Sequence, residues 1–320
     1  MIDIAILHAR QLKDLREYFY SKNTSLHSAI VLADKEYTPL NLSNKQQTYN
    51  AHTLQQKIDE WKQKTLHGKH PYNINKEHIS KADSYKWLQK GELYPETEGF
   101  TLAIQDQVIA TKNYLKYIVK DTNIKDDKCR RCHMFPETID HITAGCKLLA
   151  GTVYTNRHNT AAKIIHQQLA LQHKLITETQ PYYTYTPQTI LENDKYKLYW
   201  DITLHTDKTV MHNRPDITLQ NKTEEITYLI DIAVPSDHNI NNKYLEKKDK
   251  YQPLAIELER IWKQKHVKVI PFIISVTGIT PKTFITHLTQ LNLPHNIHTQ
   301  VQKAIILQTC NITRSFLNQK

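Results

Sequence analysis

The spacing of apolar residues predicts a mostly helical N-terminal part. Apolar positions between residues 2 and 19 recur at helical intervals, and Leu54, Ile58 and Trp61 repeat that spacing. A further helix is predicted over residues 101–119. Prolines and glycines divide this part into short pieces, and its residues form no catalytic pattern. We therefore expect residues 1–125 to form a helical support or linker.

Beyond residue 150, some segments keep the helical spacing of apolar residues, and others alternate apolar and polar residues as strands do. Helices are predicted over 156–175 and 241–265, with a hairpin turn over 221–224. The predicted strands are 197–204, 209–219, 226–234 and 267–276. This α-β-β-β-α-β order predicts an α/β fold in which a helix crosses back to a last, buried strand. Residues 281–320 are predicted to be a helical tail.

Composition and charge narrow the class of partner. The 320 residues include 42 Lys and Arg against 32 Asp and Glu, a net charge of +10 with a pI of about 9.2. Such a chain is expected to bind a polyanion, most often nucleic acid, although ribosomal and membrane-surface roles fit the same charge. No apolar run is long enough to span a membrane. The N-terminus does not fit a secretory signal, so we expect a chain that is not secreted.

Three of the four cysteines lie close together, which indicates a metal site in a reducing compartment rather than a disulfide scaffold. The spacing Cys129-x2-Cys132-x8-His141-x4-Cys146 supplies three thiolates and one imidazole, the ligand number of a closed tetrahedral zinc site. His133 is the alternative fourth ligand, and chance cysteines in a buried loop are the alternative to a metal site. The basic residues that flank the first pair, as expected of a knuckle that contacts phosphates, are Lys128, Arg130 and Arg131.

Two aspartates form a second candidate site. Asp216 and Asp231 both lie in apolar, strand-like surroundings, where an unpaired carboxylate is costly. If their strands are antiparallel neighbours joined at the Asn221 turn, the two carboxylates come side by side. They then repel each other unless a divalent cation lies between them, and hard oxygen ligands suit Mg²⁺ or Mn²⁺. The alternative is that each aspartate pairs locally, with Arg214 or Lys222.

A lysine-rich segment follows on the helix that should cross back over these strands. Lys247 and Lys250 are three residues apart and share a helix face with Tyr251, whereas Lys248 points away from Lys247. Phosphodiester hydrolysis needs metal-held oxygens, an activated water and a cation near the developing charge. Two aspartates and Lys247 supply these parts. For any single lysine, a solvated helix face is the alternative.

The order of these motifs resembles the C-terminal part of polyproteins from non-LTR (LINE-type) retrotransposons that carry a restriction-like endonuclease. In that class a CCHC zinc knuckle precedes a nuclease of the PD-(D/E)xK type. The resemblance covers roughly residues 50–275, and its order of motifs is more specific than any one motif. Its main stretches are the cysteine module, Arg157-His158-Asn159, Arg214-Pro215-Asp216-Ile217, residues 229–237 (LIDIAVPSD) and residues 246–251.

The resemblance implies roles for individual residues. Asp216 and Asp231 would hold Mg²⁺ or Mn²⁺, with the Ile232 carbonyl as a third oxygen. Lys247 would be the catalytic lysine, because the usual position two residues after the second acid is Ala233 here. The remaining residues assigned to the catalytic segment are Lys250 and Tyr251. Those assigned to nucleic-acid binding, besides the flanks of the knuckle, are Arg157, His158 and Arg214.

The implied protein is a nuclear, metal-dependent endonuclease that nicks target DNA so that reverse transcription can be primed. Its expected parts are a linker (1–125), a zinc knuckle (126–150), a restriction-endonuclease-like domain (151–280) and a helical tail (281–320). The chain has no [YF]-x-D-D polymerase motif, so it resembles a fragment, an orphaned copy or a co-opted tail. The partners left open are the RNA of the retrotransposon and a reverse transcriptase on another chain. The alternatives are an inactive nucleic-acid-binding remnant and a protein-interaction fragment.

Overall fold

The computed structural model describes residues 44 to 318, with side chains from residue 54 onward. The predicted helical stripe at residues 2–19 lies outside the described residues. The chain divides after Asp59 into two compact units, and the sheet, the cysteine module and the candidate sites all belong to the second. The first helices are α1 (Asn44–Gln63), α2 (Lys69–Ile74), α3 (Lys81–Ser84), α4 (Lys86–Lys90), α5 (Pro95–Gln105) and α6 (Lys112–Tyr114).

The single helix predicted over residues 101–119 is wrong, because the chain forms two separate helices there. Helix α5 starts at Pro95, whose missing N–H costs nothing at a first helical position. Just after α5, Gln107 has a φ of 60°, which a continuing helix does not allow. The hydroxyl of Thr111 then caps α6 by accepting a hydrogen bond from the backbone N–H of Tyr114.

The cysteine module leads directly into an 18-residue helix that precedes the sheet. Two wide turns (His141–Gly145 and Ala150–Tyr154) flank the short helix α7 (Lys147–Leu149). Helix α8 (Thr155–Gln172) follows without a break, close to the predicted 156–175. The module and the start of α8 therefore form one continuous segment.

A five-stranded mixed sheet lies at the centre of the second unit. Its strands are β1 (Ile190–Glu192), β2 (Tyr196–Trp200), β3 (Ile217–Asn221), β4 (Ile226–Ala233) and β5 (His266–Ile273). The spatial order is β1-β2-β3-β4-β5, antiparallel except for the parallel pair β4–β5. A parallel pair needs a crossover connection, and helix α9 (Ile240–Ile261) supplies it.

The α/β class predicted from the sequence is confirmed, with three differences in the strands. The strand predicted over 197–204 ends at Trp200. Strand β1 precedes the first predicted strand, and its three residues are too short to leave a periodic signal. The strand predicted over 209–219 begins only at Ile217. Pro215 carries no N–H and cannot complete a ladder there. The loop before β3 is instead held by two bonds, in which Leu204 N donates to the Asn213 carbonyl and Asp201 N donates to the Asp216 carbonyl.

The turn between β3 and β4 sets the register that matters for the candidate site. Asn221 Oδ1 accepts hydrogen bonds from the backbone N–H groups of Thr223 and Glu224, an arrangement typical of asparagine in turns. Ile217 then lies opposite Ile230. Continuing that register by one residue places Asp216, directly before β3, opposite Asp231 on β4.

The two faces of the sheet are covered by different helices. On one face, residues of α8 such as Ile165 pack with Ile230, Ile232 and Phe272 from the strands. On the other face, Leu229 packs with α9 in a separate cluster of apolar residues. Neighbouring residues of β4 thus point to opposite helical layers, as the alternation of a strand requires.

The C-terminal residues predicted as a tail are helical and belong to the core. Helices α10 (Lys282–Gln290) and α11 (Asn296–Leu317) follow β5, and Phe284, Leu288, Val301 and Ile305 pack into the same apolar cluster as α8 and the sheet. Helix α11 lies along α8. The domain boundaries at residues 125, 150 and 280 stay predictions. Within residues 44 to 318, no helix is both long and apolar enough to cross a membrane.

Candidate metal centre and active-site cleft

The cysteine module brings four metal-ligating side chains together. The donor atoms of Cys129, Cys132, His141 and Cys146 all lie within 4.8 Å of one another. Cys132 Sγ and His141 Nε2 are 3.3 Å apart, near the ~3.6 Å that a tetrahedral zinc with ordinary bond lengths would impose. His133, the alternative ligand, is not part of this group. The group could hold a zinc ion.

The electrostatics of the four side chains suit a bound cation. Burial raises the pKa of the Cys129 thiol to about 11, because a thiolate without a partner is poorly solvated there. Burial also lowers the pKa of His141, which keeps its imidazole neutral as a metal ligand must be. A zinc ion would supply the positive charge that the thiolates lack.

The basic flanks of the module differ in what they contact. Lys128 and Arg131 are exposed, and Lys128 Nζ donates one hydrogen bond to the Met134 carbonyl at 3.1 Å. Arg130 is bound internally by the buried Glu137, with Arg130 Nη2 at 2.7 Å from Oε1 and Nε at 3.0 Å from Oε2. Its guanidinium also lies 5.2 Å from the centre of the Phe316 ring. Arg130 thus joins the module to the end of α11.

A set of hydrogen bonds ties residues 141–146 of the cysteine module to the start of α8. The Tyr154 hydroxyl donates to the carbonyls of His141 and Ile142, at 3.1 and 2.9 Å, and accepts from Cys146 N. Arg157 is 1% exposed, and its Nη2 donates to the Thr143 carbonyl at 2.7 Å. Contact of Arg157 with nucleic acid stays a prediction, and in the structure this side chain anchors α8 to the module.

The two predicted carboxylates lie side by side where β3 begins and its antiparallel neighbour β4 ends. Asp231 is 2% exposed, and its Oδ2 is 2.6 Å from Lys247 Nζ. Asp216 Oδ2 accepts hydrogen bonds from the backbone N–H of Ile232 at 2.6 Å and from His158 Nε2 at 3.0 Å. His158 Nε2 also lies 3.1 Å from the Ile232 carbonyl oxygen. Two cationic side chains therefore neutralise the two acids.

Burial acts on all three titratable groups, and the balance differs for each. Burial and then the charge of Asp216 raise the pKa of Asp231, while Lys247 opposes that rise. For Asp216, burial is outweighed by the hydrogen bonds from His158 and Ile232 N, so its pKa is lowered. Burial alone would lower the pKa of His158, but the hydrogen bond and charge of Asp216 raise it to about 9. The neighbouring carboxylates thus differ in how readily they ionise.

Helix α9 presents its lysines as its spacing predicted. Tyr251 is buried, and burial raises its pKa. Its hydroxyl donates to the Arg214 carbonyl at 3.0 Å and accepts from Lys250 Nζ at 3.0 Å. These bonds set the rotation that points Lys247 at Asp231, while Lys248 is exposed. The exposed guanidinium of Arg214 is paired with Asp201, with Nε at 2.7 Å from Oδ1.

A cleft of about 760 Å³ opens onto this group of residues. Its walls come from the start of α8, the end of β4 and the first turns of α9, and Ala144 of the cysteine module also lines it. The polar residues that line it include His158, Asn159, Asp216, Lys243, Glu246 and Lys247. The sequence assigned His158 to nucleic-acid binding, and no spacing rule pointed to its place beside Asp216.

The described residues contain one group of three or more His, Cys, Asp or Glu side chains whose donor atoms converge closely, and it is the cysteine module. The fold and this module define the chain as a mixed α/β protein with a Cys₃His cluster. No protein-family model matches the chain, and no curated protein matches it either. The likeness to retrotransposon endonucleases therefore stays an interpretation of motif order.

Proposed function

We propose that this chain is a metal-dependent DNA endonuclease of the PD-(D/E)xK type, derived from a non-LTR retrotransposon and carrying a structural zinc. The observation that carries this proposal is the convergence of Asp216, Asp231 and Lys247 beside one open cleft. These residues come from three successive elements, the loop before β3, strand β4 and helix α9. A pair of aspartates with a lysine 2.6 Å from one of them supplies the protein groups that metal-dependent phosphodiester hydrolysis uses.

The donor set fits a hard divalent cation. Asp216 Oδ2 and the Ile232 carbonyl oxygen already face one common atom, His158 Nε2, at 3.0 and 3.1 Å. Together with Asp231 they would offer oxygen ligands to Mg²⁺ or Mn²⁺. Such an ion, when bound, supplies an activated water and stabilises charge on the scissile phosphate. Lys247, released from Asp231, would place its ammonium near that phosphate.

DNA binding would rest on phosphate contacts. The net charge of +10 and the exposed Lys128 and Arg131 favour sequence-tolerant attraction of a polyanion. Lys243 and Lys247 line the cleft itself and would contact the strand to be cut. A nuclear location and a reverse transcriptase on another chain belong to the same proposal.

A supercoiled-plasmid nicking assay tests the proposal. Zinc-loaded protein should convert supercoiled DNA to nicked circles when Mg²⁺ or Mn²⁺ is added, and EDTA should stop the reaction. Because EDTA also strips zinc, activity must return on adding Mg²⁺ with zinc but not with zinc alone. Asp216→Ala and Asp231→Ala should lose nicking, while Asp249→Ala, an exposed acid on α9, should keep it. Equal nicking by the Asp231→Ala and parental proteins would assign the cleavage to a contaminant.

The lysine assignment has its own matched pair of variants. Lys247→Ala should lose nicking with little change in DNA affinity, because one phosphate contact among many contributes little to binding. Lys248→Ala, one residue further along the same helix and exposed, should nick normally. If Lys248→Ala proved the more damaging change, the role given to Lys247 would be wrong.

One observation favours an inactive nucleic-acid-binding protein as a second candidate. Both carboxylates already have cationic partners, Lys247 for Asp231 and His158 for Asp216, so the pair is balanced without a metal. A chain that only binds would retain salt-dependent DNA affinity and show no nicking with either metal. The same assay, run beside a DNA-binding titration, separates the two candidates.

A further inference from the structure

We propose that His158 is a ligand of the catalytic metal, a nitrogen donor that makes the site prefer Mn²⁺ to Mg²⁺. This inference rests on the proposed endonuclease function and deepens it. Its basis is the position of one atom, His158 Nε2, against the oxygens assigned to the metal.

The imidazole faces two of those oxygens at once. His158 Nε2 lies 3.0 Å from Asp216 Oδ2 and 3.1 Å from the Ile232 carbonyl oxygen. A cation held by both oxygens would therefore have this nitrogen beside it. Nε2 can donate a hydrogen to these oxygens, and a bound cation would take the place of that hydrogen.

The other side of the ring is held as metal-ligating histidines usually are. His158 Nδ1 lies 3.0 Å from Asn159 Oδ1 and can donate its hydrogen to that oxygen. A donor bond from Nδ1 fixes the tautomer and leaves the Nε2 lone pair for a metal. The ring is thus oriented from its Nδ1 side, and Nε2 points toward Asp216 and the Ile232 carbonyl.

The backbone at His158 is anchored through the preceding residue, which bonds to the cysteine module and to α11. The preceding residue, Arg157, is buried and bonds to the Thr143 carbonyl and to Thr309 Oγ1 of α11. The His158 side chain itself is 28% exposed and lines the cleft. It is therefore both rigidly placed and open to an ion that enters from solvent.

A nitrogen ligand changes which metal the site selects. Mg²⁺ is a hard cation that prefers oxygen donors, whereas first-row transition metals accept imidazole readily. With Asp216, Asp231 and the Ile232 carbonyl alone, the site would suit either ion. The addition of His158 would favour Mn²⁺.

Mn²⁺ binding to the zinc-loaded chain tests this directly. Pulsed electron paramagnetic resonance of Mn²⁺ on the unsubstituted protein should show coupling to a histidine nitrogen, and His158→Ala should remove that coupling. His158→Ala should weaken Mn²⁺ by at least about tenfold, since even residues that only support a ligand have effects of about 10- to 100-fold. Mg²⁺ affinity should fall less. His158→Asp should restore binding with the preference turned toward Mg²⁺.

The controls separate failure of this inference from failure of the proposed function. His212→Ala removes an exposed histidine that does not line the cleft and should change neither affinity. If Mn²⁺ binds, depends on Asp216, and shows no nitrogen coupling or dependence on His158, the inference is wrong and the endonuclease proposal stands. If the parental chain binds no Mn²⁺ at Asp216, both are wrong.

Discussion

The ion pair between Lys247 and Asp231 allows a prediction that needs neither metal nor DNA. Lys247→Met removes the charge but keeps an unbranched side chain only one atom shorter, and methionine is also a good helix former. Asp231 is 2% exposed, and its carboxylate would lose the ammonium that now lies 2.6 Å away on α9. We therefore expect the variant to fold less stably than the parent at neutral pH.

The size of the loss follows from burial. Breaking a buried ion pair from one side costs about 3–5 kcal/mol, because the remaining charge is stranded. Lys247 is 17% exposed, so water screens the pair slightly and the lower end, about 3 kcal/mol, is expected. Lys247→Met/Asp231→Asn should recover most of this loss, because it leaves no stranded charge.

The loss should depend on pH with a defined sign. The folded-state pKa of Asp231 is raised above its unfolded value, so the folded state holds the proton more tightly. Stability tied to this group is full below the unfolded pKa and is lost as pH rises through the folded pKa. Removing Lys247 raises the folded pKa further. The deficit of Lys247→Met should therefore be large at pH 8 and shrink toward pH 4.

Urea unfolding followed by circular dichroism, with zinc present and no other divalent ion, measures these differences. Lys248→Met is the matched control, because Lys248 is exposed on the same helix and should change stability by less than about 0.5 kcal/mol. A Lys247→Met protein as stable as the parent at pH 8, or a deficit that does not change between pH 8 and pH 4, would refute the reasoning.

Three further predictions concern the rest of the chain. Metal analysis should find one zinc per chain, and Cys132→Ser/Cys146→Ser should lose it; well under one zinc in the parent would contradict the Cys₃His assignment. DNA affinity should fall steeply as salt rises, since each phosphate neutralised releases counterions, and a flat salt dependence would favour the protein-interaction fragment. Urea midpoints should fall as pH drops from 7 to 5, because three buried histidines stay neutral in the folded chain and take up protons once it unfolds. Each of these histidines should lower the free energy of unfolding by about 2 kcal/mol at pH 5. Midpoints that do not change with pH would contradict this prediction. Burial lowers the pKa to about 4 for His166, His287 and His298.

Sequence reasoning was most successful where the decisive contacts are local. The four side chains that could hold zinc lie within 18 residues, so their spacing alone brings the donors together. Asp216 and Asp231 are joined by one hairpin, and the Asn221 turn between them sets their register. The periodicity of α9 likewise predicted which of its lysines faces the strands.

Only the tertiary structure decided what distant segments do to one another. His158 lies 74 positions before Ile232 in the chain, and its place beside that carbonyl depends on how α8 docks on the sheet. Arg157 is a basic residue in a basic chain, and nothing in its sequence context separates a phosphate contact from a buried anchor. From the sequence, α11 was predicted to be part of a tail, and only the structure shows that it packs along α8. Local spacing is dictated by backbone geometry within a few residues, whereas burial and long-range contact depend on how all the apolar faces pack together.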